Sequence, residues 1–243
     1  MTSTYNQMLF SGGFRGKLHQ MRFDWLKRNL IAEPDSYTLF ELGCFDCRSL
    51  LHLPKPKQYL GADAGWEGGI NDAQMNFVNK PWMELLVAHS AHDLGVHAHR
   101  RFDYSIALET LEHIPTAVLK GYIEFLANVT KKKLLITVPV EVGPVFLFKH
   151  IAKRLFSSLH NGETDTYTLK EVYWATRGKT QHVVRYEHKG FDYRELIKQL
   201  EQYFVITKVE GIPFAGLPYC SFQVGIVAEP IRKPEAILIE PGK

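Results

Sequence analysis

Short apolar runs recur along this chain, with polar and turn-rich stretches between them. Tyr37 to Leu42 is the first, and it stops at Gly43. The run is too short for a helix and rich in aromatic and β-favouring residues, so it reads as a buried strand. Gln58 to Ala62, Met83 to Ala88, Tyr104 to Leu108, Lys133 to Val138, Phe204 to Val209 and Ser221 to Ala228 read the same way. Helical patterns lie between several of them. Residues 17 to 31 place Leu18, Met21, Trp25, Leu26 and Leu30 near one face, and Pro34 and Asp35 end that helix. Pro115 to Val129 is a second helix, with proline suited to its first turn. Asp192 to Phe204 is a third, with Asp192 as N-cap and Glu195 at capping-box spacing.

Strands alternating with helices predict an α/β fold: a doubly wound, mostly parallel sheet covered on both faces. The last two strands lie close together and suit an antiparallel end to it. Residues 1–36 form an N-terminal helical segment of one domain. The stretch 143–190 breaks the rhythm and reads as an inserted helical cap over the substrate site.

Composition narrows the class. The chain has 243 residues, 45% of them apolar and 23% charged, which excludes a fibre and a disordered chain. No window reaches 18 uninterrupted apolar residues, and the N-terminus lacks an apolar core of signal-peptide length. Cys44, Cys47 and Cys220 cannot build a secreted disulfide framework. A reducing, cytoplasmic location is the expectation. A net charge of +3 permits nucleic acid as a partner without demanding it.

In a doubly wound sheet, ligands bind beyond the carboxyl ends of the strands. The first strand ends Glu41-Leu42-Gly43-Cys44, and the second ends Gly61-Ala62-Asp63, its acid 22 residues after Glu41. A carboxylate at that spacing suits two ribose hydroxyls, because it can accept a hydrogen bond from each.

Four segments in order, FELGC (40–44), YLGAD (59–63), FDYSIALETLEHI (102–114) and KLLITVP (133–139), resemble the class I S-adenosylmethionine-dependent methyltransferases. The resemblance spans about residues 38–228 and implies a seven-stranded, Rossmann-like sheet. It also implies that Glu41, Gly43 and Cys44 line the methionine part of S-adenosylmethionine, Asp63 with Ala64 holds the ribose, and Leu108 sits beside the cofactor. Two departures follow. Phe45 and Cys47 stand where the family usually carries further glycines, and a non-glycine residue avoids positive φ. The loop is therefore expected to take another path. The acid that commonly reads the adenine amino group has no clean match; Ser90 and Asp93 fall nearest.

After the fourth strand comes Glu109-Thr110-Leu111-Glu112-His113, the pattern E-x-x-E-H. In a helical turn, positions i, i+3 and i+4 share a face, although Pro115 disfavours helical geometry at Ile114. Two carboxylates with an imidazole form a poor structural-zinc set but suit Mg²⁺ or Mn²⁺. The pattern resembles the divalent-metal site of the small-RNA 3′-terminal 2′-O-methyltransferases and of the ubiquinone-pathway O-methyltransferases. The first group takes a further histidine from a late segment. The resemblance makes His188, in His188-Lys189-Gly190-Phe191-Asp192-Tyr193, the fourth ligand. Other readings stand beside it: Glu112 as a helix cap, His113 as a half-buried histidine, His188 as a surface residue, or His113 or His188 as general base without a metal. His89, His92, His97 and His99 read as a polar loop, and Lys131 to Lys133 as a solvated turn.

Residues 145–160 form a basic amphipathic segment that suits a lid helix, peripheral contact with a membrane, or a lipid-linked substrate. The mixture of Tyr173, Trp174, Arg177, Lys179, His182, Arg185 and Tyr186 suits a sugar, a phosphate or a terminal nucleotide. The leading expectation is transfer of a methyl group to a hydroxyl of a sugar, glycolipid or small-molecule diol. The alternatives are methylation of an RNA 3′-terminal 2′-hydroxyl, a binding module with a degenerate cofactor loop, and a dithiol redox protein using Cys44 and Cys47.

Overall fold

The computed structural model describes residues 13–156, 167–186 and 188–231. Helix α1 (Gly13–Asn29) precedes β1 (Thr38–Leu42), β2 (Gln58–Asp63), α2 (Gly69–Asn76), β3 (Met83–Val87) and the single-turn α3 (Ala91–Leu94). Then follow β4 (Phe102–Leu108), α4 (Thr116–Val129), β5 (Thr130–Pro139), α5 (Gly143–Phe156), α6 (Leu169–Thr176), α7 (Tyr193–Leu200), β6 (Phe204–Ile212) and β7 (Gln223–Pro230).

The seven strands form one sheet in the order β3-β2-β1-β4-β5-β7-β6. Pairing is parallel from β3 through β5, and β7 runs antiparallel to both β5 and β6. The order reverses between β1 and β4, whose carboxyl ends lie side by side with Leu42 opposite Ala107. This is the α/β sheet the apolar runs predict, including the antiparallel end.

The core follows the twofold alternation of strand residues. Phe40, Leu42, Leu60, Ile136 and Ile226 pack with α4 and α7 on one face. Leu39, Tyr59, Ile106, Leu135 and Val227 pack with Trp25 and Leu26 of α1 on the other. Gly225 of β7 is required there: a Cβ on it would lie 2.2 Å from Trp25 Cε2. Trp25 Nε1 donates to Glu210 Oε2 at 2.9 Å, so the buried indole keeps a polar partner.

Two local expectations change. Lys131 to Lys133 are not a turn, because α4 passes directly into β5 and these residues open the strand. Lys132 pairs with Asp103 at 3.1 Å. Asp192 does cap α7, accepting from Arg194 N at 3.0 Å, but Glu195 pairs with Lys198 at 2.8 Å and completes no capping box. A complete box stands instead at Thr168–Glu171, opening α6. The region between β5 and α7 contains α5 and α6. Residues 157–160 of the amphipathic segment, and the side chains from Lys153 onward, lie outside the described residues. Within the described part, Phe146 is buried and Phe148 and Ile151 are exposed. Lys149 turns inward, donating to Val140 O, Glu141 Oε1 and Phe222 O at 3.0–3.2 Å. No described helix is long and apolar enough to cross a membrane.

Candidate active site

The loop after β1 begins with Gly43 at φ 71°. Gly43 N and Cys44 N both donate to Ala62 O of β2, at 2.7 and 3.2 Å. A Cβ on Gly43 would fall 2.2 Å from Thr110 Oγ1, so the turn runs directly against the segment that follows β4. Phe45 and Cys47 also have positive φ, 44° and 58°. This overturns the expectation that these side chains divert the loop: it enters the left-handed region without glycine. A left-handed non-glycine residue costs about 1–2 kcal/mol, and it persists only where its surroundings hold it. Here they do. Asp63 Oδ2 accepts from Phe45 N at 3.0 Å, and Cys47 N donates to Cys44 O at 2.7 Å. The Cys47 side chain is buried and receives Tyr59 OH at 3.3 Å. The Phe45 ring lies against Gly69, where no Cβ would fit.

Glu41 and Asp63 therefore share the task of holding this loop. Glu41 is buried, and its Oε2 accepts from Ser49 Oγ at 2.5 Å and Tyr59 OH at 2.7 Å. Burial pushes its carboxyl up to about 7, despite those two donors. Asp63 ends β2 and also accepts from Gly65 N at 2.8 Å, with Ala64 half-buried beside it. Carboxylate oxygens have capacity for further donors, so these bonds leave room for ribose hydroxyls. Leu108 is buried at the end of β4. Hydrogen bonding with Cys47, then burial, pushes the Cys44 thiol well up. A redox pair needs a low-pKa attacking thiol, so this environment suits packing rather than thiol chemistry.

Ser90 and Asp93 form the capping box of α3. Ser90 Oγ accepts from Asp93 N at 3.3 Å, and Asp93 Oδ2 accepts from His89 N and Ser90 N at 2.9 Å. Ser90 opens on a shallow cleft of about 540 Å³ between α3 and α4. Neither Glu41, Asp63 nor Glu112 lines that cleft.

The E-x-x-E-H segment is not a helical turn. Glu109 has φ 53°, Thr110 is non-helical, and only Leu111–His113 form a single 3₁₀ turn. One ligand atom each from Glu112, His113 and His188 lies within 4.8 Å of the others; Glu109 stands outside this group. The His113 and His188 rings meet edge to face with centroids 4.2 Å apart. Glu112 is 1% exposed, and neither of its carboxylate oxygens has a hydrogen-bond partner. Its approach to His113 Nε2 is 3.9 Å. Burial, then the charge of Glu109, pushes its carboxyl well up. No other group of three such side chains comes together among the described residues, the histidines of 89–99 included.

Sequence reasoning placed Arg185 only in a mixed aromatic and cationic stretch, and did not mark Thr137, Gln223 or Arg22. Arg185 Nη2 donates to Glu112 O at 2.7 Å. Glu109 is buried and faces Thr137 and Gln223, whose side chains act against the dominant upward push of burial on its carboxyl. The positive charge of Arg22 on α1 acts on Glu41, Glu109 and Glu112 alike. Thr137 and Gln223 sit in ordinary strand patterns, and their approach to Glu109 is visible only in three dimensions.

No protein-family model and no curated protein matches the sequence. The fold, however, is that of the class I S-adenosylmethionine-dependent methyltransferases. An S-adenosylmethionine-dependent methyltransferase from Clostridium acetobutylicum superposes with TM-score 0.56 at 12% identity, covering 93% of this chain and 95% of that one. The N-methyltransferase NodS from Bradyrhizobium japonicum, solved with S-adenosyl-L-homocysteine, gives 0.57 at 10% identity over 96% and 94%. The magnesium protoporphyrin IX methyltransferase ChlM from Synechocystis gives 0.54 at 15% over 92% and 91%.

Proposed function

We propose that this chain is an S-adenosylmethionine-dependent methyltransferase that methylates a hydroxyl of a sugar, glycolipid or small-molecule diol, with a divalent cation held by Glu112, His113 and His188. One observation carries the metal part: a fully buried carboxylate with no donor on either oxygen, beside two converging imidazoles. An unpaired buried carboxylate is costly; protonation relieves that cost when the site is empty, and a cation shared with the two imidazoles would relieve it with the carboxylate ionised. One carboxylate with two imidazoles suits Mn²⁺ better than Mg²⁺, which prefers oxygen ligands. The cofactor part rests on the fold and on the Gly43 turn, whose missing Cβ leaves the strand ends open to each other. The left-handed Phe45 and Cys47 weigh against a degenerate, non-binding loop.

When bound, S-adenosylmethionine supplies the methyl group on a sulfonium, and the cation lowers the pKa of a coordinated acceptor hydroxyl. The chain's own residues do the positioning. Asp63 would take the ribose hydroxyls while keeping Phe45 N and Gly65 N. Glu41 and its two donors fix the loop beneath the methionine part. Arg185, bonded to Glu112 O, fixes the turn that presents Glu112 and His113. Rate then comes mainly from holding the attacking oxygen in line with the methyl group.

Calorimetry with S-adenosylmethionine tests the cofactor, and transfer of labelled methyl to a panel of sugars and catechol-type diols tests the acceptor. His188→Ala should abolish transfer while leaving cofactor affinity within about twofold. Absence of cofactor binding would sink the enzyme reading; full transfer in excess chelator would sink the metal.

A further inference from the structure

His188 reaches Glu112 and His113 from the turn at Tyr186 and Lys189, between α6 and α7, and something must hold that turn in place. Glu171 in the first turn of α6 does so. Its Oε2 accepts from Thr168 N at 2.8 Å while Glu171 N donates to Thr168 Oγ1 at 3.3 Å, which is the capping box, and Oε2 also accepts from Thr168 Oγ1 at 3.0 Å. Its Oε1 reaches across to the turn, accepting from Val184 N at 3.1 Å and pairing with Lys189 Nζ at 2.8 Å. The Glu171 and Lys189 side chains are only 9% and 12% exposed, so this pair is weakly screened.

Tyr167 adds to the grip: its hydroxyl receives Gly190 N at 3.2 Å, and Lys189 Nζ lies 5.2 Å from its ring centre. Tyr186 and Lys189 close the turn with reciprocal backbone bonds of 2.8 and 3.1 Å. His188 is therefore flanked by a residue fixed to Glu171, while Arg185 ties the other limb to Glu112 O.

We infer that Glu171, through Lys189 and Val184 N, is a positioning residue that sets His188 against Glu112 and His113. The inference rests on the reading of those three side chains as a metal site, but the placement of His188 can be measured without metal. Helix capping alone would need only the Thr168 half of the carboxylate. Glu171 uses its second oxygen to couple α6 to the turn that carries His188. The depressed Glu171 carboxyl, about 2, agrees with a carboxylate held first by Lys189 and then by Thr168 N.

The test compares three variants of the full chain: Lys189→Met, Glu171→Gln and Thr168→Ala. Proton NMR would follow the cross-peak between the His113 and His188 rings, and calorimetry would follow Mn²⁺ affinity. Lys189→Met and Glu171→Gln should each lose most of the cross-peak and weaken Mn²⁺ binding about tenfold or more. Thr168→Ala, which breaks only the cap, should keep both within about twofold. A cross-peak unchanged in Lys189→Met, with the fold intact by circular dichroism, would overturn the inference. So would Thr168→Ala losing as much as Glu171→Gln, since the role would then be capping alone. If the wild type binds no Mn²⁺, the metal reading fails by itself, and the cross-peak still decides whether Glu171 positions His188.

Discussion

At the end of β1, Glu41 is buried with two hydroxyls donating to one of its oxygens. Just past the end of β4, Glu112 is buried as deeply, and neither oxygen has a donor. Both carboxyls are pushed up chiefly by burial. The first is a finished piece of construction: with Asp63 it holds a loop whose residues 45 and 47 would otherwise resist their left-handed backbone. The second is unfinished within the protein and has imidazoles on hand. The hydrogen bonds of Glu41 make it part of the scaffold, and the missing ones of Glu112 are what motivates the cation proposed for it.

The comparison can be broken from either side. The largest expected effect is on the scaffold. Gly43→Ala combines a strained φ with a Cβ driven into Thr110, and should cost about 3–5 kcal/mol in urea unfolding. A cost below about 1 kcal/mol would mean the turn is not held as tightly as described.

Next comes the pH dependence of Glu41. Its folded value of about 7 lies above the ordinary glutamate value of 4.5, so the folded protein retains a proton that the unfolded chain has released. Stability should therefore fall as pH rises from about 4.5 to about 7, by up to about 3 kcal/mol. Glu41→Gln keeps an acceptor for Ser49 and Tyr59 and should flatten that part of the profile. An unchanged slope in the variant would show that Glu41 is not the group responsible.

The smallest effect sharpens the other side. Mn²⁺ at about a hundredfold excess over its dissociation constant should stabilise the wild type by about 2.7 kcal/mol. Glu112→Gln should remove most of that response in a thermal melt. An equal response in both would take Glu112 out of the cation site.

Much of this arrangement is legible in the residues themselves. The apolar runs place all seven strands, and Glu41, Gly43 and Asp63 fall where strand ends should be. Helix α1 extends four residues further toward the N-terminus than its apolar stripe, because Lys17 and its neighbours reveal no boundary. The Thr168–Glu171 spacing carried a capping signal that sequence reasoning passed over while crediting Asp192–Glu195, where no box forms. Glu109 could not be separated from Glu112 by spacing, since the separation comes from one left-handed residue. Nor does any local pattern mark Thr137, Gln223 or Lys189, which matter only through neighbours distant in the chain.

The sequence by itself determined the layered α/β sheet, because strand and helix periodicities are local and burial enforces them. It also determined which acids stand at the strand ends. Only the tertiary structure decided which of those acids are satisfied, that Phe45 and Cys47 accept a glycine-like backbone, and that His188 meets Glu112 under the hold of Glu171. Those outcomes depend on hydrogen bonds and packing between segments tens of residues apart, whose distances no one-dimensional pattern encodes.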